Sequence, residues 1–345
     1  MSLSYVGNQG HKLVSSVEAN PGSAAICQQV NQLLGPNTCG PNGETQAYTL
    51  PNGTPTIPGA FYAPGSTTTI NGTRTVLDPA FFGSNPYIKE MANSAYNSFQ
   101  SSLRHSSGRL DLLVGYTYSR CLDNASGLQD TTNPFNPRLS RSLCSFDVSH
   151  NFVASYSVQL PFEKFFHVDK GFANKIVAGW SLSGITTFAT GLPISLSEND
   201  DNSLTGAVGV DVPQLTGTGK LFAGGGFSSK NPRTGLPYFN SCVLTNIASC
   251  PAGSVPFFDL EPLGQIGNAN RRFFHGPGLN NFDMALLKDT KFSESKTLEL
   301  RFEAFNVFNH AQFQNPTGSI NSSLFGVVNS AREARVMQIG AKFRF

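Results

Sequence analysis

The chain has 345 residues; 39% are hydrophobic and only 13% charged against an average near 25%, with 28 Phe, one Trp, 34 Gly and 21 Pro. Its 24 basic and 22 acidic residues leave a net charge of +2 with no block of like charge, which excludes a nucleic-acid footprint. No apolar run approaches 18 residues, which excludes helical membrane spans, and the opening MSLSYVGNQGHK lacks the charged-then-apolar layout of a secretory signal.

The prevailing periodicity is two, the alternation of a strand whose faces meet different surroundings. In chain order, a first weak candidate covers 2–6, then a long Gly/Pro/Asn/Ser-rich link carries Cys27 and Cys39, and a second weak candidate covers 95–104. Over 109–119, Leu110, Leu112, Val114, Tyr116 and Tyr118 share one face, with Asp111, Leu113, Gly115 and Thr117 on the other. That is the length of a tilted membrane strand. Cys121 and Cys144 fall in the next link. Over 146–160, Phe146, Val148, Phe152, Ala154, Tyr156, Val158 and Leu160 alternate with Asp147, Ser149, Asn151, Ser155, Ser157 and Gln159; His150 intrudes on the apolar face and Val153 on the polar one. A candidate over 178–190 surrounds Trp180, and the following link holds Cys242 and Cys250. After a candidate over 282–288, Leu298, Leu300, Phe302, Ala304 and Phe308 alternate with Thr297, Glu299, Arg301 and Glu303. The last strand reads Met337, Ile339, Ala341, Phe343 and Phe345 against Gln338, Gly340, Lys342 and Arg344.

The links alternate in length. Residues 105–108, 161–177 and 289–296 make short ones, while 7–94, 120–145, 191–281 and 309–334 make long ones, and every cysteine lies in a long link. Ten-residue antiparallel strands with short turns at one end and long loops at the other describe an outer-membrane barrel wall. The expected fold is therefore all-β: an antiparallel transmembrane β-barrel segment of about eight strands with long extracellular loops and short periplasmic turns. Only helices and closed barrels satisfy every backbone polar group in lipid. The cysteines read as three local loop disulfides in an oxidising compartment, Cys27/Cys39, Cys121/Cys144 and Cys242/Cys250, although six cysteines allow 15 connectivities. Tyr116, Tyr118, Trp180, Phe308 and Phe343 sit near strand ends, where interfacial girdles form.

Several stretches carry a family resemblance: SYVGNQGHKL, YNSFQSSLRHSSGRLDLLVGYTYSRCLD, DVSHNFVASYSVQLPF, GWSLSGITTFATGLPISL, NNFDMALLKDTKF and LELRFEAFNVFNHAQF. In that order they resemble the carboxyl-terminal barrel of TonB-dependent receptors, particularly the Oar-like branch with a carboxypeptidase-regulatory-like amino-terminal domain. The closing KFRF, with Phe343 and Phe345, resembles the aromatic-ended strand by which the barrel-assembly machinery recognises its substrates. Such receptors have a signal peptide, a plug and about twenty-two strands. Against that pattern, residues 1–345 read as the carboxyl-terminal part of a barrel without signal peptide, plug, earlier strands or TonB-contacting box, the product of a longer or broken reading frame. The resemblance implies outer-membrane location, lipid and the assembly machinery as partners, and contact with TonB only through an amino-terminal region. It also implies uptake or binding of a bulky solute such as a metal chelate or oligosaccharide. An independent small barrel acting as an adhesion module is the second reading, and closure of first strand on last is what separates the two.

Chemistry of bond making is not indicated. His11, His105, His150, His167, His275 and His310 form no H-E-x-x-H or other ligand spacing, and no G-x-S-x-G elbow, P-loop or dinucleotide fingerprint occurs. The acidic residues give no spaced pair of the glycosidase kind. The chain therefore reads as a non-enzyme without a cofactor or resident metal. Gly224–Gly226 reads as a flexible loop. Asp200 and Asp201 are weighed as calcium ligands, but their spacing is not that of an EF-hand, and they read as a solvated loop. Glu299, Arg301 and Glu303 share one polar face and Lys342 and Arg344 another, so opposite charges face each other if these strands pair. Arg271 and Arg272 read as the end of an extracellular loop approaching its strand.

Overall fold

The computed structural model describes residues 1–36, 38–40, 73–74, 85–128, 130–168, 170–207, 209–222, 227–229, 232, 235–250 and 253–345. The Gly224–Gly226 loop lies outside them. Eight long strands run as β1 (Ser2–Glu18), β2 (Pro86–Ser107), β3 (Leu110–Asp123), β4 (His150–Leu160), β5 (Trp180–Ala189), β6 (Leu279–Lys291), β7 (Thr297–Phe305) and β8 (Val336–Arg344). Each pairs antiparallel with its neighbours in the chain, giving one meandering sheet. Two-residue strands bring the total to eleven: Ser142–Leu143 beside β3, and Gln214–Leu215 paired with Phe258–Asp259 in the loops.

Register explains why the alternation matters, because residues directly opposite share a face. One row across the sheet reads Leu110, Val158, Leu182, Leu286, Phe302 and Ile339. The adjacent row on the opposite face reads Ser106, Asp111, Ser157, Ser183, Ala285, Glu303 and Gln338. A one-residue slip in any strand would exchange the two. Among the described residues, no second sheet covers the apolar face, and the helical segment Gly171–Val177 lies beside β6.

Aromatic residues cross the apolar face near the long-loop end. Tyr118 meets His150 at 5.1 Å, Phe152 meets Phe188 at 6.0 Å, Phe188 meets Phe282 at 5.5 Å and Phe282 meets Phe308 at 5.0 Å. Trp180 marks the short-turn end of β5, its indole N–H donating to the Ile176 carbonyl at 3.0 Å. From Trp180 to Phe188 is about 27 Å along the strand, which a 40° tilt reduces to roughly 20 Å, near the ~25 Å apolar band of such walls. Lys288 stands opposite Trp180 on this face with its ammonium 5.8 Å from the indole. It donates to the Lys175 carbonyl at 2.7 Å and to the Ala178 carbonyl, at the carboxyl end of Gly171–Val177, where a helix welcomes a cation.

The sheet is open. Among the described residues β1 pairs with β2 and, at Val17 alone, with Thr132 of the β3–β4 link, while β8 pairs only with β7. The final ladder pair is Thr297 with Arg344, so Phe345 lies one residue beyond the ladder, 92% exposed, contrary to the expected strand end. The position it would face belongs to Lys296, whose carbonyl already accepts Phe292 N–H to close the turn. Phe345 nonetheless stacks on Phe343 at 6.2 Å.

Other boundaries also differ. β4 begins at His150, because Phe146 and Val148 belong to a turn held by the Asp147 N–H on the Cys144 carbonyl. β7 stops at Phe305, since Asn306 and Asn309 adopt positive φ and the Asn306 carboxamide accepts His310 N–H. His105 is within β2, and the turn lies one step later at Gly108 with φ +56°. β1 and β2 run far past the expected 2–6 and 95–104, bending at a bulge where Lys12 has positive φ. In that extension Asn8, Gln9, His11 and Lys12 carry no alternation, so the sequence reads as loop. Helix α1 (Ala24–Leu34), whose cap Ser23 accepts Ile26 N–H at 3.4 Å, lies within the stretch that the sequence reads as a link.

The buried apolar residues gather in the long links. Ile194, Leu196, Tyr238, Phe239, Phe258, Ala269, Phe274, Ile320 and Phe325 form one cluster from the β5–β6 and β7–β8 links. Phe239 meets Phe258, Phe274 and Phe325 edge-on at 5.8, 5.1 and 5.2 Å. A smaller cluster joins Cys27, Val30 and Cys39 to Leu204, docking α1 onto the β5–β6 link. Cys27–Cys39, Cys121–Cys144 and Cys242–Cys250 are disulfide-bonded, each closing a segment of 8 to 23 residues within this loop layer.

Candidate functional site: the polar concave face and its loop cap

Pleating sends Arg104, Asp111, Ser155, Ser157, Ser183, Asp283, Arg301 and Glu303 to one side of the sheet, where they line a cavity of about 690 Å³. The lining comes from six consecutive strands, β2 to β7, so the sheet curls around its polar face and leaves the apolar one convex. Several charges on this wall have polar partners. Arg301 Nη2 lies 2.8 Å from Glu303 Oε1, Ser106 Oγ donates to Asp111 at 2.5 Å, and Asp283 accepts Asn306 N–H at 2.8 Å. Glu299 faces Lys342 in register, as expected, but its ion pair is with Arg344, one step along the ladder, while Gln338 donates to Glu303.

A second cavity of about 630 Å³ lies at the long-loop end, lined in part by Asn151, Thr187, Gln312, Asn315 and Arg332. Above it sits the loop layer. Arg272, 2% exposed, is its tie: Nε donates to the Leu143 carbonyl at 2.7 Å, Nη2 to Asp130 at 2.7 Å and Ser126 at 3.2 Å, with Asp123 at 3.6 Å. Arg271 donates to the Thr131 carbonyl at 2.6 Å and pairs with Asp130 at 3.1 Å. These two arginines thus clamp the β5–β6 link to the β3–β4 link rather than merely ending a loop. His275 Nε2 lies 2.9 Å from Asp147, whose other oxygen accepts Cys121 N–H at 2.5 Å. Ser149 approaches the same imidazole nitrogen at 3.5 Å, so the trio is a structural junction and not a nucleophile relay. His11 contacts Asn93 and His150 contacts Tyr116, each as a single polar contact.

The acidic loop differs from its expected solvated state. Asp200 is exposed and accepts from Asn321, but Asp201 is buried, accepting Ser203, Thr205 and Gly206 donors in its own turn. Beside it lie Glu198, Asp211 and Glu261, all buried. Spacings of 13 and 50 residues hid them from the sequence pattern. Desolvation, with neighbouring carboxylates, pushes Asp211 up to about 8 and Glu261 up to about 9, and raises Glu198. The folded loops therefore hold more protons than the unfolded chain, whose carboxyls titrate near 4. Their stability is greatest below pH 4 as far as this cluster is concerned and falls as pH rises toward about 9. In chelator-treated protein, near-ultraviolet dichroism should show the loop layer melting at progressively lower temperature from pH 6 to pH 9, and Asp211→Asn should flatten that slope.

A curled antiparallel wall with an uncovered apolar convex side, aromatic rows and a polar hollow is the frame on which the comparison with known proteins bears. Residues 1–338 match the family described as outer membrane beta barrel domain. The chain belongs to that family. No curated protein matches the chain. As an outer membrane β-barrel domain it is located in the cell outer membrane, with Leu182, Leu286 and Phe302 on the lipid side and the long, disulfide-bearing links at one rim. The barrel domain's two unpaired edges, β1 and β8, remain part of that description.

Proposed function

We propose that the chain is the wall portion of a TonB-dependent receptor-type protein, which takes up or binds a bulky solute without making or breaking a covalent bond. The observation that carries this reading is the combination of open edges with a hollow lined by charged, hydroxyl and apolar side chains, together with a disulfide-bonded loop layer. A sheet that curls around a cavity yet leaves both end strands unpaired needs further strands to satisfy its edges in lipid. In this reading the loops capture solute outside, the hollow frames its path, and a plug and the contact with TonB belong to other parts of the receptor. Lipid and the barrel-assembly machinery are its partners, the latter engaging β8 with Phe343 and Phe345. It needs no cofactor and no nucleic acid.

The alternative, an independent small barrel used for adhesion, requires β1 to pair with β8. All six cysteines are disulfide-bonded, so introduced thiols stand out. With Tyr5→Cys and Ile339→Cys, one on each edge strand, a short bifunctional thiol reagent should give no intrachain link in outer membranes. An efficient intrachain link would replace the receptor reading with the closed small barrel.

A further inference from the structure

The loop layer holds a group of acids that the barrel reading does not use. Glu198, Asp201, Asp211 and Glu261 are each at least nine-tenths buried. The carboxyls of Glu198 and Glu261 meet each other, as do those of Asp201 and Asp211. Asp201 is satisfied by its own turn, but both oxygens of Glu261, one of Glu198 and one of Asp211 find no hydrogen-bond donor other than a neighbouring carboxyl. The largest charge effects on these three come from Asp200, Asp201 and one another, while Arg74 and Arg271 reach the same loop at the Gly206 and Gly209 carbonyls. A buried carboxylate without a counter-charge is costly, and four such oxygens in one place are more so.

We propose that the Glu198–Glu261 pair, backed by Asp201 and Asp211, is a binding site for a hard divalent cation of the calcium type. Oxygen donors from carboxylates are what calcium selects, and its tolerance of six to eight ligands in irregular geometry lets backbone carbonyls and water complete the shell. Among the described residues no three such side chains form a ready-made cage, so the ligand set is two carboxylates plus these neutral donors. Magnesium, which demands near-ideal octahedral geometry and dehydrates reluctantly, suits the pair less well. Glu198 and Asp211 belong to one stretch of the β5–β6 link and Glu261 to another, and the backbone already joins them through Glu198 N–H on the Asp211 carbonyl at 3.2 Å. Cation binding closes that link on itself.

Outward-facing modules bind calcium at about 10⁻⁴–10⁻³ M, so about 10 mM calcium should lower the open population of the loops by about 10- to 100-fold. The readout is the rate at which a protease cleaves within 191–278 of the whole chain in outer-membrane vesicles at pH 7.5, after chelator treatment, with and without calcium. The wild type should show that protection. Glu261→Gln, and independently Glu198→Gln, should lose it while resisting cleavage in chelator at least as well as the wild type, because each removes an uncompensated carboxylate. A wild type indifferent to calcium, or variants protected as fully as the wild type, would overturn the proposal.

Discussion

Leu286→Arg, about 5 Å inside the Trp180 end of the band, should lower the stability of the sheet in lipid by about 1–3 kcal/mol, whereas Ala285→Arg, one residue earlier on the same strand, should cost about 0–1 kcal/mol. Leu286 faces Leu182 and Phe302 on the convex side, so an arginine there places its charge in hydrocarbon. Ala285 faces Ser183 and Glu303 on the polar side, where a guanidinium meets water and a carboxylate. Denaturant titration of protein folded into lipid vesicles measures both. Equal costs would mean that the two faces meet the same medium.

Arg272→Ala should be the most damaging change in the loop layer. It leaves the buried Asp123 without its nearest cation, leaves half-buried Asp130 with Arg271 alone, and strips the Leu143 carbonyl and Ser126 of their donor. Removing one partner of a buried ion cluster costs about 3–5 kcal/mol, which corresponds to about 10²- to 10⁴-fold faster proteolysis of the β5–β6 link. Arg272→Lys should recover little, because one ammonium cannot reproduce the bidentate contact to Asp130 together with Leu143 and Ser126. The sheet itself should keep its resistance to denaturant, since the clamp lies wholly among the links.

Legibility in the sequence followed the physics of the surroundings. β3, β4, β6, β7 and β8 alternate because lipid lies on one side and water on the other, and a period of two records that contrast. Where β1 and β2 run past their expected ends, Asn8, Gln9, His11 and Lys12 carry no alternation and Ser15, Val17 and Glu18 bury against the loops, so the two-faced contrast vanishes and the strands read as loop. α1 escaped notice because a single capped helix of 11 residues inside a long polar link is overshadowed by its neighbours. Phe345 was read as the end of the ladder from its apolar identity alone, while the turn carbonyl it needed was already used at Phe292. The disulfide candidates were visible because they are close in sequence. The Arg272 clamp and the Glu198–Glu261 pair join residues more than 60 positions apart, and no spacing rule connects such groups before the loops are folded.

The account rests on the two faces of the sheet meeting hydrocarbon and water. Nitroxide labels placed singly from Asn281 to Leu287 in the membrane-embedded protein test this through their collisions with oxygen, which concentrates in lipid, and with a water-soluble nickel chelate. Labels at 282, 284 and 286 should be oxygen-accessible and those at 281, 283, 285 and 287 nickel-accessible, alternating residue by residue. Uniform shielding from both reagents, or nickel access on both faces, would contradict it.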